Sequence, residues 1–305
     1  MLQQFLSNLK RSFSGANLAI LLICGLILIL PLAYWPELLE AASIPRYALI
    51  SLVSSTALLL WVLFNREDPI NWHSGFILIL GLFGWAAIST SWSPDSGTSL
   101  IDITQQLSMI VLAFLAMQMS RHPVFLRYLV PDILIGSTLT SAIGIGQYFD
   151  VNPLGFRSNA NTNPATFINP NHAAVYFDFI PWLAFASILF YQRSSLRWLA
   201  AGCLGLCLAY ISINTSRGSL LALLVSGLIF FMLLLLKPEV RKWLMTRILQ
   251  RYKEITVALL ILLIVSLFPI SLLSEKGPIE QSKMTLQQEK LDKVSKQYRL
   301  AMYVN

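Results

Sequence analysis

Charge is the scarcest thing in this sequence. Only 12% of its 305 residues are Asp, Glu, Lys or Arg, about half of what a soluble domain carries, while 56% are hydrophobic. A soluble chain of this length leaves a quarter or more of its extended surface in water and must cover it with polar groups. This chain has too few, so a soluble globular protein is excluded, as is a disordered one. Cysteine is sparse too. Cys24, Cys203 and Cys207 all lie in apolar runs, there is no Cys-x-x-Cys and no zinc spacing, and a disulfide scaffold is ruled out. Cys203 and Cys207, four apart, share a helix face turned to lipid or to a neighbouring helix. No P-loop, H-E-x-x-H, G-x-S-x-G or Asp-x-Asp site occurs. The net charge of +7 is spread through the gaps between apolar runs rather than gathered on one face, which argues against nucleic acid as a partner.

What the chain does have is long apolar runs. About nine are expected to cross a membrane: 17–35, 47–64, 74–91, 102–119, 129–149, 172–191, 197–214, 218–236 and 255–273. Each covers about 30 Å at 1.5 Å per residue. Backbone groups in lipid must bond within their own segment, and a barrel would show short alternating segments, so the expected fold is all-α, a polytopic helical membrane protein. The first run follows Lys10 and Arg11 and reads as an uncleaved anchor. Alternating the gaps puts most cations, from Lys10 to Lys253, on one side and only Arg46, Arg157 and Arg217 on the other. By the positive-inside rule the amino terminus is cytoplasmic. The basic amphipathic gap 237–254 is expected to lie on the anionic inner leaflet.

This divides the chain into a bundle over 1–273, with an outer loop at 150–171, and a tail over 274–305. The tail reads as one amphipathic helix on the outer side, starting at Gly277-Pro278. The outer loop is rich in Asn, Pro and Gly, and its Asn-Pro steps favour turns.

Arg217 is the leading candidate for chemistry. It either snorkels to head groups or, with Asn214, Thr215, Ser216 and Gly218 around it and a helix starting there, joins free amides in an anion site suited to phosphate. Arg157 and Arg299 lie on the same expected side. His172 is a general-base candidate or the first-turn residue of a helix capped by Asn171. Asp178, an acid inside a span, either lines a polar cavity or packs beside Tyr176; it lies roughly 9 Å along the helix from His172 and on another face. Asp132, after Pro131, fits a first-turn acid at a helix start. His73 and His122 fall in inner gaps as solvated residues.

Thr166-Phe167-Ile168-Asn169-Pro170-Asn171-His172-Ala173 before a span, and Thr215-Ser216-Arg217-Gly218-Ser219 leading a Leu-rich one, resemble the O-antigen ligase and polymerase family, which includes bacterial protein O-oligosaccharyltransferases. The likeness covers roughly residues 75–305 and is best over 140–236. It implies a metal-independent glycosyltransferase of the bacterial inner membrane, without a cofactor. Such an enzyme takes a glycan from an undecaprenyl diphosphate carrier on the periplasmic side, and its acceptor is a lipid A core, another repeat unit or a protein hydroxyl. It implies that Arg217 and Arg299 bind the diphosphate as catalytic groups, with Arg157, Asn169, Asn171, His172, Ser216 and Asp178 as substrate-binding candidates. The family's periplasmic loop runs on past an arginine to a histidine and further spans. Since the sequence ends soon after Arg299, it reads as the amino-terminal part of a longer protein, with the general base beyond Asn305. A second class remains open: a transporter of a small solute such as inorganic carbon, for which Asp178 within a span would suit a permeation path.

Overall fold

A computed structural model describes residues 15–38, 41–64, 70–149, 151, 164–167, 169–214 and 217–267. Among these residues the regular structure is all helical: α1 Gly15–Ile29, α2 Ser43–Phe64, α3 Ser74–Ser89, α4 Ser96–Met119, α5 Pro123–Tyr148, α6 Pro170–Phe177, α7 Ile180–Phe190, α8 Ser194–Ile213, α9 Arg217–Leu236, α10 Pro238–Gln250 and α11 Tyr252–Leu267. Short 3-10 turns extend α1 over Leu30–Leu32 and α3 over Thr90–Trp92.

Seven helical segments are long and apolar enough to cross a membrane, counting α6 and α7 together as Pro170–Phe190. The other two expected spans fall short of that measure. The first is 15 residues, and α11 has 16 before the described residues end. The expected tail helix over 274–305 lies outside the described residues.

Two helix starts lie six residues ahead of the expectation, each for a local reason. Helix α4 begins at Ser96 rather than near 102, because Asp95 caps it: its carboxylate accepts from the Thr98 amide at 3.1 Å and hydroxyl at 2.6 Å. Those bonds hold the exposed Asp95 carboxyl below the usual carboxylate range. Helix α5 begins at Pro123, where the missing N–H costs nothing. Pro131 therefore sits inside α5, and Asp132 is a mid-helix residue rather than a first-turn acid.

The helices pack in two groups. The larger is centred on α8, whose Ala200, Ala201, Cys203, Gly205, Cys207 and Ala209 are buried against α5, α7 and α11. Small residues let backbones approach, which is how helices associate in lipid, where the surrounding tails are as apolar as the helices themselves. At Gly205 a Cβ would stand 2.8 Å from the Ala258 carbonyl of α11. Both α8 cysteines are thus interior rather than lipid-facing, and the Cys207 sulfur lies 3.2 Å from the Ser141 hydroxyl of α5. The smaller group joins α1, α2 and α4 around Ala19, Ile23, Ala57 and Leu115. Contact between α1 and α5 ties the two together. Helices α3 and α9 present nearly their whole surface outward, with Leu78, Leu82, Leu221, Leu224 and Leu228 exposed, as lipid-facing helices must.

Some of the bonds between distant segments lie at the two ends of the bundle, and others, such as Ser51 with Ser108 and Ser141 with Cys207, lie along the helices. Arg46 meets Pro31 and Thr166, and Gln147 meets Ala165, at the end expected to be outer. At the other end Arg121 and Gln118 hold Asn71, and Arg197 pairs with Glu254.

Candidate functional site

The end expected to be outer contains an inserted stretch of irregular backbone. Pro164, Ala165 and Thr166 are buried, although the sequence places them in a polar surface loop. Ala165 takes a φ of 51°, a conformation disfavoured for a residue with a Cβ. It is held there by packing on Gly144 and by the Gln147 amide, which donates to its carbonyl at 2.8 Å. The Oε1 of Gln147 is buried without a hydrogen-bond partner among the described residues.

Arg46 fixes this stretch to the rest of the bundle. From the first turn of α2, its Nε donates to the Leu30 carbonyl at 3.1 Å. Its Nη2 reaches the Pro31 carbonyl at 3.0 Å and the Thr166 carbonyl and hydroxyl at 2.9 and 3.1 Å. The guanidinium also lies 4.1 Å from the centre of the Phe167 ring. The Thr166 hydroxyl closes the loop by donating to Pro31. Phe167 packs on Tyr176, whose hydroxyl is 2.9 Å from Ser137 of α5. Buried non-helical backbone needs hydrogen-bond partners, and Arg46 supplies them to the Leu30, Pro31 and Thr166 carbonyls.

The chain then enters α6. Its cap is Asn169 rather than Asn171: the Asn169 side chain accepts from the Asn171 amide at 2.8 Å, and Pro170 takes the first helical position. Asn169, Asn171 and His172 are exposed at this mouth. The expected continuous span 172–191 is broken at Asp178 and Phe179, because Pro181 has no N–H to continue the ladder and disfavours helical backbone just before it. Asp178 ends α6 and lies directly ahead of the amino terminus of α7, so the dipoles of the two helices act on it in opposite senses. Its Oδ1 accepts from the Ser219 hydroxyl, in the first turn of α9, at 2.7 Å. Beside it the buried Asn214, at the end of α8, donates to the Pro170 carbonyl and the Tyr210 hydroxyl, both at 3.2 Å.

The two stretches singled out from the sequence therefore touch: Pro170 through Asn214, and Asp178 through Ser219. Arg217 is the first residue of α9, so the free amides of that helix open at this place. The side chain of Arg217, and all of Arg157, Ser216 and Arg299, lie outside the described residues. No cluster of three or more His, Cys, Asp or Glu able to hold a metal occurs among the described residues.

Arg46 and Gln147 were not among the candidate site residues read from the sequence, and Ser219 stood only as the last residue of the motif that begins at Thr215, with no role of its own. A signal existed for Arg46, an arginine in one of the gaps expected to be outer, where arginine is rare. None marked Gln147, a lone polar residue near the end of an apolar run.

No family model, curated protein or solved structure matches the chain.

Proposed function

We propose that this chain belongs to a metal-independent glycosyltransferase of O-antigen ligase type. It would move a glycan from an undecaprenyl diphosphate carrier to an acceptor hydroxyl on a lipid A core, another repeat unit or a protein. In this reading nine spans cross the bacterial inner membrane, the amino terminus is cytoplasmic and the tail over 274–305 forms a periplasmic helix. The observation that carries the reading is the junction of the two motif stretches, made by Asn214 with Pro170 and by Ser219 with Asp178. It brings the start of α9, the helix that Arg217 opens, beside an exposed polar mouth.

The chemistry follows from the leaving group. The acceptor oxygen bonds to the anomeric carbon as the bond from that carbon to the diphosphate oxygen breaks. Negative charge gathers on the diphosphate, and the acceptor proton passes to a base. Guanidinium groups of Arg217 and Arg299, with the amides opening α9, would stabilise that charge without a metal. Arg46 acts otherwise. Its donors are engaged by carbonyls, so it positions the Thr166–Phe167 stretch that leads into the mouth.

The test is Arg217→Ala in the full-length protein, expressed in cells that make the lipid-linked glycan. Transfer should fall by about 100- to 1,000-fold, the loss expected when one oxyanion donor is removed, while membrane insertion stays normal. Near-normal transfer would refute the assignment.

The helix break at Asp178 favours a second reading, a transporter of a small solute such as inorganic carbon. Discontinuous spans with polar groups at the break are how transporters build midplane sites. Flux of labelled bicarbonate into proteoliposomes free of lipid-linked sugar separates the two.

A further inference from the structure

At the opposite end of the bundle, α7, α9 and α10 enclose an apolar groove of about 490 Å³, within the roughly 300–1,000 Å³ typical of small-molecule sites. Its walls include Phe185 and Ala186 on α7 and Ile229 and Leu233 on α9. Its inner limit is a polar pair, the Trp182 Nε1 donating to Ser226 Oγ at 3.0 Å. From Ser226 to the end of α9 at Leu236 the helix rises about 15 Å, half the thickness of a hydrocarbon core. The groove is therefore as deep as one leaflet.

Helix α10 lies across its open end. Val240, Trp243 and Leu244 face into the groove. Arg247, one turn beyond Trp243 and Leu244, shares that face, and its guanidinium stands 5.8 Å from the centre of the Trp243 ring. One turn later Arg251 is half-buried, its Nε without a hydrogen-bond partner among the described residues, and its charge acts also on the Glu254 carboxylate of α11. Arg241 is exposed on the flank of this helix and Lys242 on the face turned away from the groove, and Glu239 is the one acid on this helix. An apolar slot one leaflet deep thus ends among guanidinium groups at head-group level.

We propose that this groove binds one acyl chain of an anionic phospholipid, whose phosphate is held by Arg247 and the cations around it. The zwitterionic lipids of the same leaflet carry the same tails, so selectivity comes from α10. The proposal is independent of the glycan-transfer reading and requires only that the bundle crosses a membrane.

The experiment is native mass spectrometry of the full chain in neutral detergent, titrated with dioleoyl-phosphatidylglycerol or dioleoyl-phosphatidylcholine. One phosphatidylglycerol should remain bound at collision energies that strip phosphatidylcholine. Arg247→Gln should weaken phosphatidylglycerol by about fivefold, the equivalent of ~1 kcal/mol for one cation near an anionic surface, and leave phosphatidylcholine unchanged. Ala186→Phe, which fills the slot, should weaken both. Circular dichroism checks that each variant is folded, and Leu233→Phe replaces Ala186→Phe if the latter is not. Equal retention of the two lipids by the wild type overturns the proposal, as does unchanged retention by folded Arg247→Gln. Displacement of phosphatidylglycerol by a polyprenyl phosphate at lower concentration, or a lipid-free dimer with this face covered, assigns the groove to another occupant and overturns it too.

Discussion

Arg46→Met keeps most of the aliphatic stem of Arg46 and removes its guanidinium. Four contacts disappear, to the carbonyls of Leu30, Pro31 and Thr166 and to the Thr166 hydroxyl. They are not four independent bonds, because three of them share the two hydrogens of Nη2. Counting three bonds from a charged donor at about 1.5–3 kcal/mol each gives an upper range. Water reaching the half-buried site recovers part of it, and the Pro31 carbonyl keeps its bond from Thr166. The expected loss is about 3–5 kcal/mol, including the cation–π contact with Phe167.

Two measurements read this out. In neutral detergent the unfolding temperature should fall by about 5–8 °C. Hydrogen exchange should rise in the peptide covering 164–167, because Ala165 with its φ of 51° has lost one of the contacts that hold its neighbourhood. Arg46→Lys should fall between the two, since a compact ammonium on a flexible stem cannot bridge three carbonyls at once. If Arg46→Met unfolds within a degree or two of the wild type, with exchange unchanged over 164–167, the guanidinium does not hold the inserted stretch and the account of it fails.

Glycine substitutions in α8 should split by position. Gly205→Ala would place its Cβ 2.8 Å from the Ala258 carbonyl and should cost about 1–3 kcal/mol by prising α8 from α11, whereas nothing lies within 4 Å of a Cβ at Gly202, so Gly202→Ala should be neutral or slightly stabilising in the same melt. Equal effects of the two would contradict the close approach of these helices. At the other end of α8, Glu254→Ala leaves Arg197 without its carboxylate, a pair whose side chains are 12% and 7% exposed. That single change should cost about 3 kcal/mol, and the double variant Arg197→Met with Glu254→Leu should recover most of it, as measured by detergent melts of all three proteins.

The helical class and the positions of the helices were legible because hydropathy over twenty residues is a strong signal and leaves few alternatives. The basic segment α10 was equally plain from its composition. Helix starts were harder, since a cap is a matter of one side chain: Asp95 and Asn169 set two boundaries that the apolar pattern alone places several residues away or credits to Asn171. The break at Asp178 was hidden for a related reason. Residues 172–191 are apolar enough to read as one span, and only Pro181 marks that the ladder cannot run through. What no linear reading yields is the meeting of elements far apart in sequence. Arg46 and Thr166 are 120 residues apart and Asp178 and Ser219 are 41 apart, yet each pair is joined by a hydrogen bond.

That difference explains why Arg46 went unassigned while Arg217 drew attention. Both are arginines on the side that the charge pattern leads one to expect as outer, and composition ranks them alike. Arg217 stands among small polar residues at a helix start, a local pattern that can be recognised in a row of letters. Arg46 stands after Ile-Pro at the head of an apolar run, and its value lies wholly in acceptors supplied by two other segments. The polar end of this bundle is therefore a tertiary construction. Arg46 and Gln147 hold irregular backbone in place, that backbone delivers the chain to Asn169 and α6, and α6 carries Asp178 to the first turn of α9. A change at Arg46 should consequently reach the mouth where Arg217 begins its helix, although the two residues share no segment of the chain.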